Sequence, residues 1–108
     1  TGWLYDGGVW YWFYDWGGMA NTSWVKVNTN ENGYYTSKWY YFRGNGAMQT
    51  GWIQLSGTWY YLRTDGSMVH DQWMLIDGKY YYFYSSGAMA SNTTVGGYQV
   101  GANGQWIQ

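Results

Sequence analysis

The chain has no cysteine, no proline and a single histidine. It is also poor in charge, with five Lys and Arg against six Asp and Glu among 108 residues, or 10%, where an ordinary domain carries about 25%. Each shortage removes a class of function. Without cysteine there is no disulfide framework and no thiolate to act as nucleophile or metal ligand. His70 alone could serve a Ser-His-Asp arrangement, and a multi-histidine metal site is excluded. A net charge of −1 leaves no basic face to neutralise phosphates, so nucleic acid is not an expected partner. No apolar run approaches the roughly 20 residues of a membrane-spanning helix. The opening Thr1-Gly2-Trp3 has no charged or apolar leader, so any export signal is expected outside these residues.

What the chain has in excess is aromatic side chains (Trp 10, Tyr 14, Phe 3; 25%) and glycine, at 17 residues. That content excludes disorder, because disordered chains lack aromatics and carry excess charge. Alignment of the chain with itself gives four similar units and a degenerate fifth. The third is the most regular, GWIQLSGTWYYLRTDGSM from Gly51 to Met68. The opening Trp recurs as Trp3, Trp24, Trp52 and Trp73, and each unit closes on Met19, Met48, Met68 or Met89. The repeats fall at about 1–20, 21–50, 51–70 and 71–90, with 91–108 as a degenerate C-terminal cap, and together form one module over 1–108.

Within a unit the pattern is strand, turn, strand. Aromatic and β-branched residues suit a pleated, half-buried surface, and no segment keeps a helical period. Gly7-Gly8, Asn32-Gly33, Ser56-Gly57 and Asp77-Gly78 supply the positive φ that two-residue hairpin turns demand. Pairing about these turns sets Trp3 opposite Trp12, Trp24 opposite Tyr41, Trp52 opposite Tyr61 and Trp73 opposite Tyr82. Alternation then gives each hairpin two apolar faces. One carries the Trp pairs; the other carries Leu4, Tyr11 and Phe13 and their equivalents. Neither face suits water, and a lone hairpin is marginal. The expected fold is therefore all-β, a solenoid of stacked hairpins joined by short loops. The second hairpin is longer, its extra residues lying around Asn28–Ser37, and its projecting arm carries Tyr34 and Tyr35, which are expected to stiffen it.

The simplest role for the aromatics is core, and it suits the Phe residues and Leu62. It suits the Trp pairs less well, since Val or Leu would fill a β-core without an indole N–H to satisfy. Two Trp backed by a Tyr of the next hairpin form a box of π-faces, suited to a cation that has methyl groups and no donors. No carboxylate is expected beside these pairs. Asp6, Asp15, Asp65 and Asp77 are read as turn residues, His70 as a solvated loop residue, and Arg43 and Arg63 as the cations best placed to meet a phosphate. Trp16 has no assigned role. No set of acid-base groups converges, so the chain is not expected to be an enzyme, and no cofactor is called for.

The recurring GW…WYY…G.M pattern, with the tail NTTVGGYQVGANGQW, resembles the choline-binding (cell-wall-binding) repeats of Gram-positive surface proteins, lytic enzymes and phage lysins, over essentially the whole chain. The resemblance implies a superhelix of stacked hairpins, an extracellular place at the cell wall, and choline or phosphocholine of teichoic acids as ligand. It also implies sites between consecutive hairpins, each with two aromatics of one, a third from the next, and a Met as floor. Carried onto this chain, the first would be Trp3, Trp10, Tyr40 and Met48. The second would be Trp24, Trp39, Tyr60 and Met68; the third Trp52, Trp59, Tyr81 and Met89. A weaker fourth would set Trp73 and Tyr80 against Tyr98, with Tyr where a Trp stands in the other repeats. In the second and fourth units Ser23 and Gln72 replace the Gly before the opening Trp. The alternatives are a glucan- or other carbohydrate-binding repeat module, and a self-associating structural array without a ligand.

Overall fold

A computed structural model describes residues 2–108 and, of Glu31, the backbone only. Thr1, the expected start of the first repeat, lies outside them. The described residues form ten strands and no helix. In chain order these are β1 (Gly2–Asp6), β2 (Val9–Phe13), β3 (Ser23–Glu31), β4 (Tyr34–Phe42), β5 (Gly51–Leu55), β6 (Thr58–Leu62), β7 (Gln72–Ile76), β8 (Lys79–Phe83), β9 (Thr93–Val95) and β10 (Tyr98–Val100). Consecutive strands pair two by two into five hairpins, so the fold is all-β, as the alternation and turn residues require.

The hairpin turns have positive φ at both central residues, for instance Asn32 at 53° with Gly33 at 83° and Asp77 at 50° with Gly78 at 80°. Such turns match the twist of the flanking strands, which is why Gly recurs at the second place. The register follows the expected one wherever a pairing is resolved: Trp3 faces Trp12, Trp24 faces Tyr41 and Trp73 faces Tyr82. The tail holds one hairpin more than the degenerate cap suggested. Gly96-Gly97 turns the chain between three-residue strands. That dipeptide is itself the signal.

Where Gly precedes the opening Trp, it takes positive φ: 84° at Gly2 and 75° at Gly51. Where Ser23 or Gln72 stands instead, the left-handed residue moves one place upstream, to Thr22 (47°) and Asp71 (55°). Their amides then donate to the carbonyls of Arg43 and Tyr84. The missing glycine is thus compensated by a shifted kink, at a strain of about 1–3 kcal/mol for a non-glycine residue.

The residues after each hairpin form a strap. Its Met pairs with the end of its own second strand, as Phe13 with Met19, Phe42 with Met48, Leu62 with Met68 and Phe83 with Met89. Three of these Met amides also reach the preceding hairpin. Met48 N–H donates to the Trp10 carbonyl at 2.9 Å, Met68 to Trp39 at 2.8 Å and Met89 to Trp59 at 2.9 Å. The next residue returns to its own hairpin, as Gln49 to Tyr41 and Ala90 to Tyr82. A two-stranded ribbon therefore gains a third backbone partner, which offsets the marginal stability of an isolated hairpin.

Two compact units result. One runs to Gly51 and includes Leu62–Met68; the other comprises Trp52–Tyr61 and Val69–Gln108. In the first, Ala20, Val25, Val27, Tyr40 and Phe42 form the core, with Trp3, Trp12, Tyr14 and Met48 against it. In the second, Val69, Ile76 and Phe83 do so, flanked by Trp52, Tyr61, Met74, Tyr81 and Met89. Burial is not as even as two apolar faces implied: Leu4 is 48% and Leu75 54% exposed. Tyr34 and Tyr35 stand exposed on the long hairpin and meet no other ring among the described residues. The arm is held instead by the Thr29–Thr36 hydroxyl pair and the Ser37–Asn28 hydrogen bond, each 2.6 Å.

Candidate aromatic binding sites

Each opening Trp sits on a first strand, and the aromatic that starts the WYY-type run sits diagonally across on the second, since Tyr5 is the direct partner of Trp10. Diagonal neighbours on one face are within reach of large rings. Trp3 and Trp10 meet edge to face, centroids 5.8 Å apart at 85°. Tyr40 of the next hairpin closes on Trp3 at 4.8 Å and 81°. The first Tyr of the run is therefore the one that faces back, and the second, Tyr41, packs on its own Trp24. Trp3, Trp10, Tyr40 and Met48, the first set that the resemblance implies, line a cavity of about 350 Å³, within the usual size of a small-ligand pocket.

Two further residues wall this cavity, Thr64 and Asp65. The expectation that no carboxylate stands beside the aromatic pairs is corrected here. Asp65 is a turn residue, accepting from the Ser67 amide at 2.8 Å and the Ser67 hydroxyl at 2.6 Å. It also reaches the pocket, because the turn that carries it packs on Met48: a Cβ at Gly66 would overlap the Met48 sulfur. Nothing local announces this, since pocket and turn lie more than one repeat apart.

The third set repeats the first. Trp52 and Trp59 meet at 6.1 Å and 88°, and Tyr81 closes on Trp52 at 4.9 Å and 70°. Met89 is tied to Trp59 through its amide and lies over Gly104 as Met48 lies over Gly66. Of the second set, Trp24, Trp39 and Met68 belong to the first compact unit and Tyr60 to the second.

The fourth set gains a member. Trp73, Tyr80 and Tyr98 share a cavity of about 350 Å³ with Trp106, which the sequence reading left out. Trp106 pairs with Val100 and donates its amide to the Tyr80 carbonyl of the preceding hairpin, as Met48, Met68 and Met89 do to theirs. Its place in Gly104-Gln105-Trp106, against Gly66-Ser67-Met68, is the signal that could have found it. Four rings wall this pocket, with Trp73–Tyr98 at 6.0 Å, Tyr80–Trp106 at 5.9 Å and Tyr98–Trp106 at 5.7 Å.

Exposure separates these rings from the core. The second-strand aromatic is 41% exposed at Trp10, 38% at Trp39, 39% at Trp59 and 41% at Tyr80, whereas Phe42 and Phe83 are fully buried. A half-exposed aromatic recurs at the same place in each of these four repeats. The expected phosphate contacts are otherwise engaged: Arg43 Nε donates to Gln49 Oε1 at 2.6 Å, and Arg63 Nη1 donates to Ser67 Oγ and the Met68 carbonyl at 3.3 and 3.4 Å. His70 Nδ1 lies 3.1 Å from Asp71 Oδ2. Trp16 is exposed, folded over Gly18 and stacked on Tyr14 at 5.6 Å.

Family models match along the chain: a cell wall binding repeat over residues 1–19, and choline-binding repeats over 36–73 and 68–106. No curated protein sequence matches it. Among solved structures, CbpJ from Streptococcus pneumoniae TIGR4 is 42% identical with TM-score 0.63, covering 99% of this chain and 41% of its own. Choline binding protein F from Streptococcus pneumoniae is 42% identical with TM-score 0.64, covering 100% of this chain and 40% of its own. The choline binding domain of Spr1274 in Streptococcus pneumoniae is 43% identical with TM-score 0.63, covering 78% of this chain and 96% of that domain. The chain thus spans about two fifths of CbpJ and of choline binding protein F. With its hairpins, its straps and its recurring half-exposed rings, it belongs to the choline-binding repeat family.

Proposed function

We propose that residues 1–108 act as a non-catalytic module that holds choline heads, presented as phosphocholine on teichoic acids, and so anchors a larger protein to the outside of a Gram-positive cell wall. The observation that carries this reading is the set of edge-to-face rings, one of each set about two fifths exposed, around cavities of small-ligand size. Ring quadrupoles attract the cation while the apolar walls take its methyl groups. The sites are Trp3, Trp10, Tyr40 and Met48; Trp52, Trp59, Tyr81 and Met89; and Trp73, Tyr80, Tyr98 and Trp106, with Trp24, Trp39 and Met68 as the first unit's members of the second set.

Three rings contribute roughly 2–6 kcal/mol, and a millimolar ligand needs about 4 kcal/mol. Single sites are therefore weak, and firm attachment comes from several sites engaging one repetitive polymer. A sugar would need hydrogen bonds to its hydroxyls, and the fourth pocket, walled by rings alone, favours the methylated cation over glucan.

Choline titration followed by indole emission tests this reading, with 3,3-dimethyl-1-butanol as the uncharged isostere. Choline saturates the signal and the alcohol does not. Trp59→Ala and Trp52→Ala each reduce the amplitude, read on protein whose β-structure is verified by circular dichroism, since Trp52 also packs on the core of its unit. Undiminished titration in both folded variants would remove the third site, and equal responses to choline and the alcohol would remove the cation.

A further inference from the structure

The turns after the second, third, fourth and fifth hairpins close by the same device, a side-chain acceptor for the amide two residues on; after the first, Trp16 stands at that place and the backbone bonds of Tyr14 with Gly17 and Gly18 close the turn. Asn45 Oδ1 accepts from Ala47 at 3.0 Å, Ser86 Oγ from Ala88 at 3.3 Å and Asn103 Oδ1 from Gln105 at 3.1 Å. Asp65 Oδ1 accepts from Ser67 at 2.8 Å in the same way. Three neutral side chains make this turn and Trp16 stands in a fifth, so the turn needs no charge. The charge of Asp65 is surplus to the local structure, and Asp65 is the one of the four that stands in the wall of the first pocket.

Its carboxylate is fixed rather than free to swing. Oδ1 takes both Ser67 hydrogen bonds, and no described residue donates to Oδ2. Partial burial pushes the Asp65 carboxyl up. The Ser67 hydroxyl and amide, with Lys38 and Arg63 nearby, outweigh that and hold it below the ordinary 3.8. At neutral pH the first pocket therefore has an ionised acceptor at its wall, whereas the fourth is walled by aromatic rings only.

We propose that Asp65 makes the first pocket a site for protonated amines that keep an N–H, such as a dimethylammonium head, as well as for the fully methylated head. This rests on the choline reading above and extends it. A trimethylammonium group has no donor and leaves no hydrogen bond unmade among rings. A dimethylammonium group has one N–H, and a ring-only cage strips it of water without giving it a strong acceptor, which costs binding. The Asp65 carboxylate supplies that acceptor, charge to charge. Pockets of one chain thus differ in the ligands they admit.

The test is an NMR titration of the whole chain, reading the indole N–H signals of each pocket, with choline and with N,N-dimethylethanolamine at pH 7. In the unaltered chain Trp3 and Trp10 respond to both ligands with similar affinity. Trp73 and Trp106 respond to choline and about five-fold more weakly to the dimethyl compound. Asp65→Asn and Asp65→Ser keep a turn acceptor, as Asn45 and Ser86 do. Each weakens the dimethyl compound at Trp3 and Trp10 about five-fold, through loss of its charge-assisted hydrogen bond, and weakens choline, which loses only the screened attraction of like magnitude for both heads, no more than about two-fold. Equal losses for the two ligands, or no loss for either, overturn the proposal while leaving the choline reading intact. Silence of every indole toward choline overturns both.

Discussion

Methionine and glycine form one unit of packing in this chain, although they stand in different repeats. Met48 lies on Gly66, whose φ is +87°, and any Cβ there meets the thioether. Gly66→Ala therefore combines backbone strain with a displaced Met48. It should cost about 1–3 kcal/mol in urea unfolding and weaken choline at Trp3 and Trp10 before it affects Trp73. Asp65 gives a pH prediction with a definite sign. Its carboxyl sits below the unfolded value of 3.8, so its contribution to stability is present above that value and is lost as pH falls through the lower folded one. The difference in melting midpoint between the unaltered chain and Asp65→Asn should be constant above about pH 5 and shrink only in acid; a difference that changes between pH 6 and 8 would contradict it.

At the scale of the hairpin, the sequence was largely legible because the determinants are local. Two-residue turns with Gly second fix the register, and alternation fixes which aromatics share a face; Tyr40 and Tyr81 were identified in this way, and their rings lie against Trp3 and Trp52. Trp106 was missed because it takes the strap position of a Met while looking like an opening Trp. Asp65 was missed for a deeper reason. Its approach to the first pocket depends on Met48 reaching over the following turn, a contact that no period in the sequence encodes. The same contact joins Met89 to the turn at Gly104, and Asn103 holds in that turn the position that Asp65 holds in its own. Asn103→Asp should therefore raise the dimethylethanolamine affinity read at Trp52 and Trp59 by about three-fold, within the range of an exposed ion pair. An unchanged response there would show that the two turns are not equivalent.

For the molecule as a whole, stability and ligand binding share the same rings. Trp3 and Trp52 pack against the core of their respective units and also wall candidate pockets, so occupancy acts on the folded state of both. Choline at a hundred-fold excess over its dissociation constant should stabilise each unit by about 2.7 kcal/mol per occupied site. Calorimetry should show the melting midpoint rising with choline and not with 3,3-dimethyl-1-butanol; a midpoint indifferent to choline would favour a purely structural array. Polymer attachment should fall off more steeply than single-site affinity as pockets are removed, because linked sites multiply rather than add.

The strap has one more consequence. Met48, Met68 and Met89 make the same amide bond backward, and Met19, Met48 and Met89 the same side-chain overlay forward, so the couplings are standard parts rather than bespoke fittings. A duplicated strap brings with it the Met amide that bonds backward and the glycine that lies bare under a thioether. Lengthening the chain by gene duplication thus requires no new interface to be invented, and each added copy brings another cage with it.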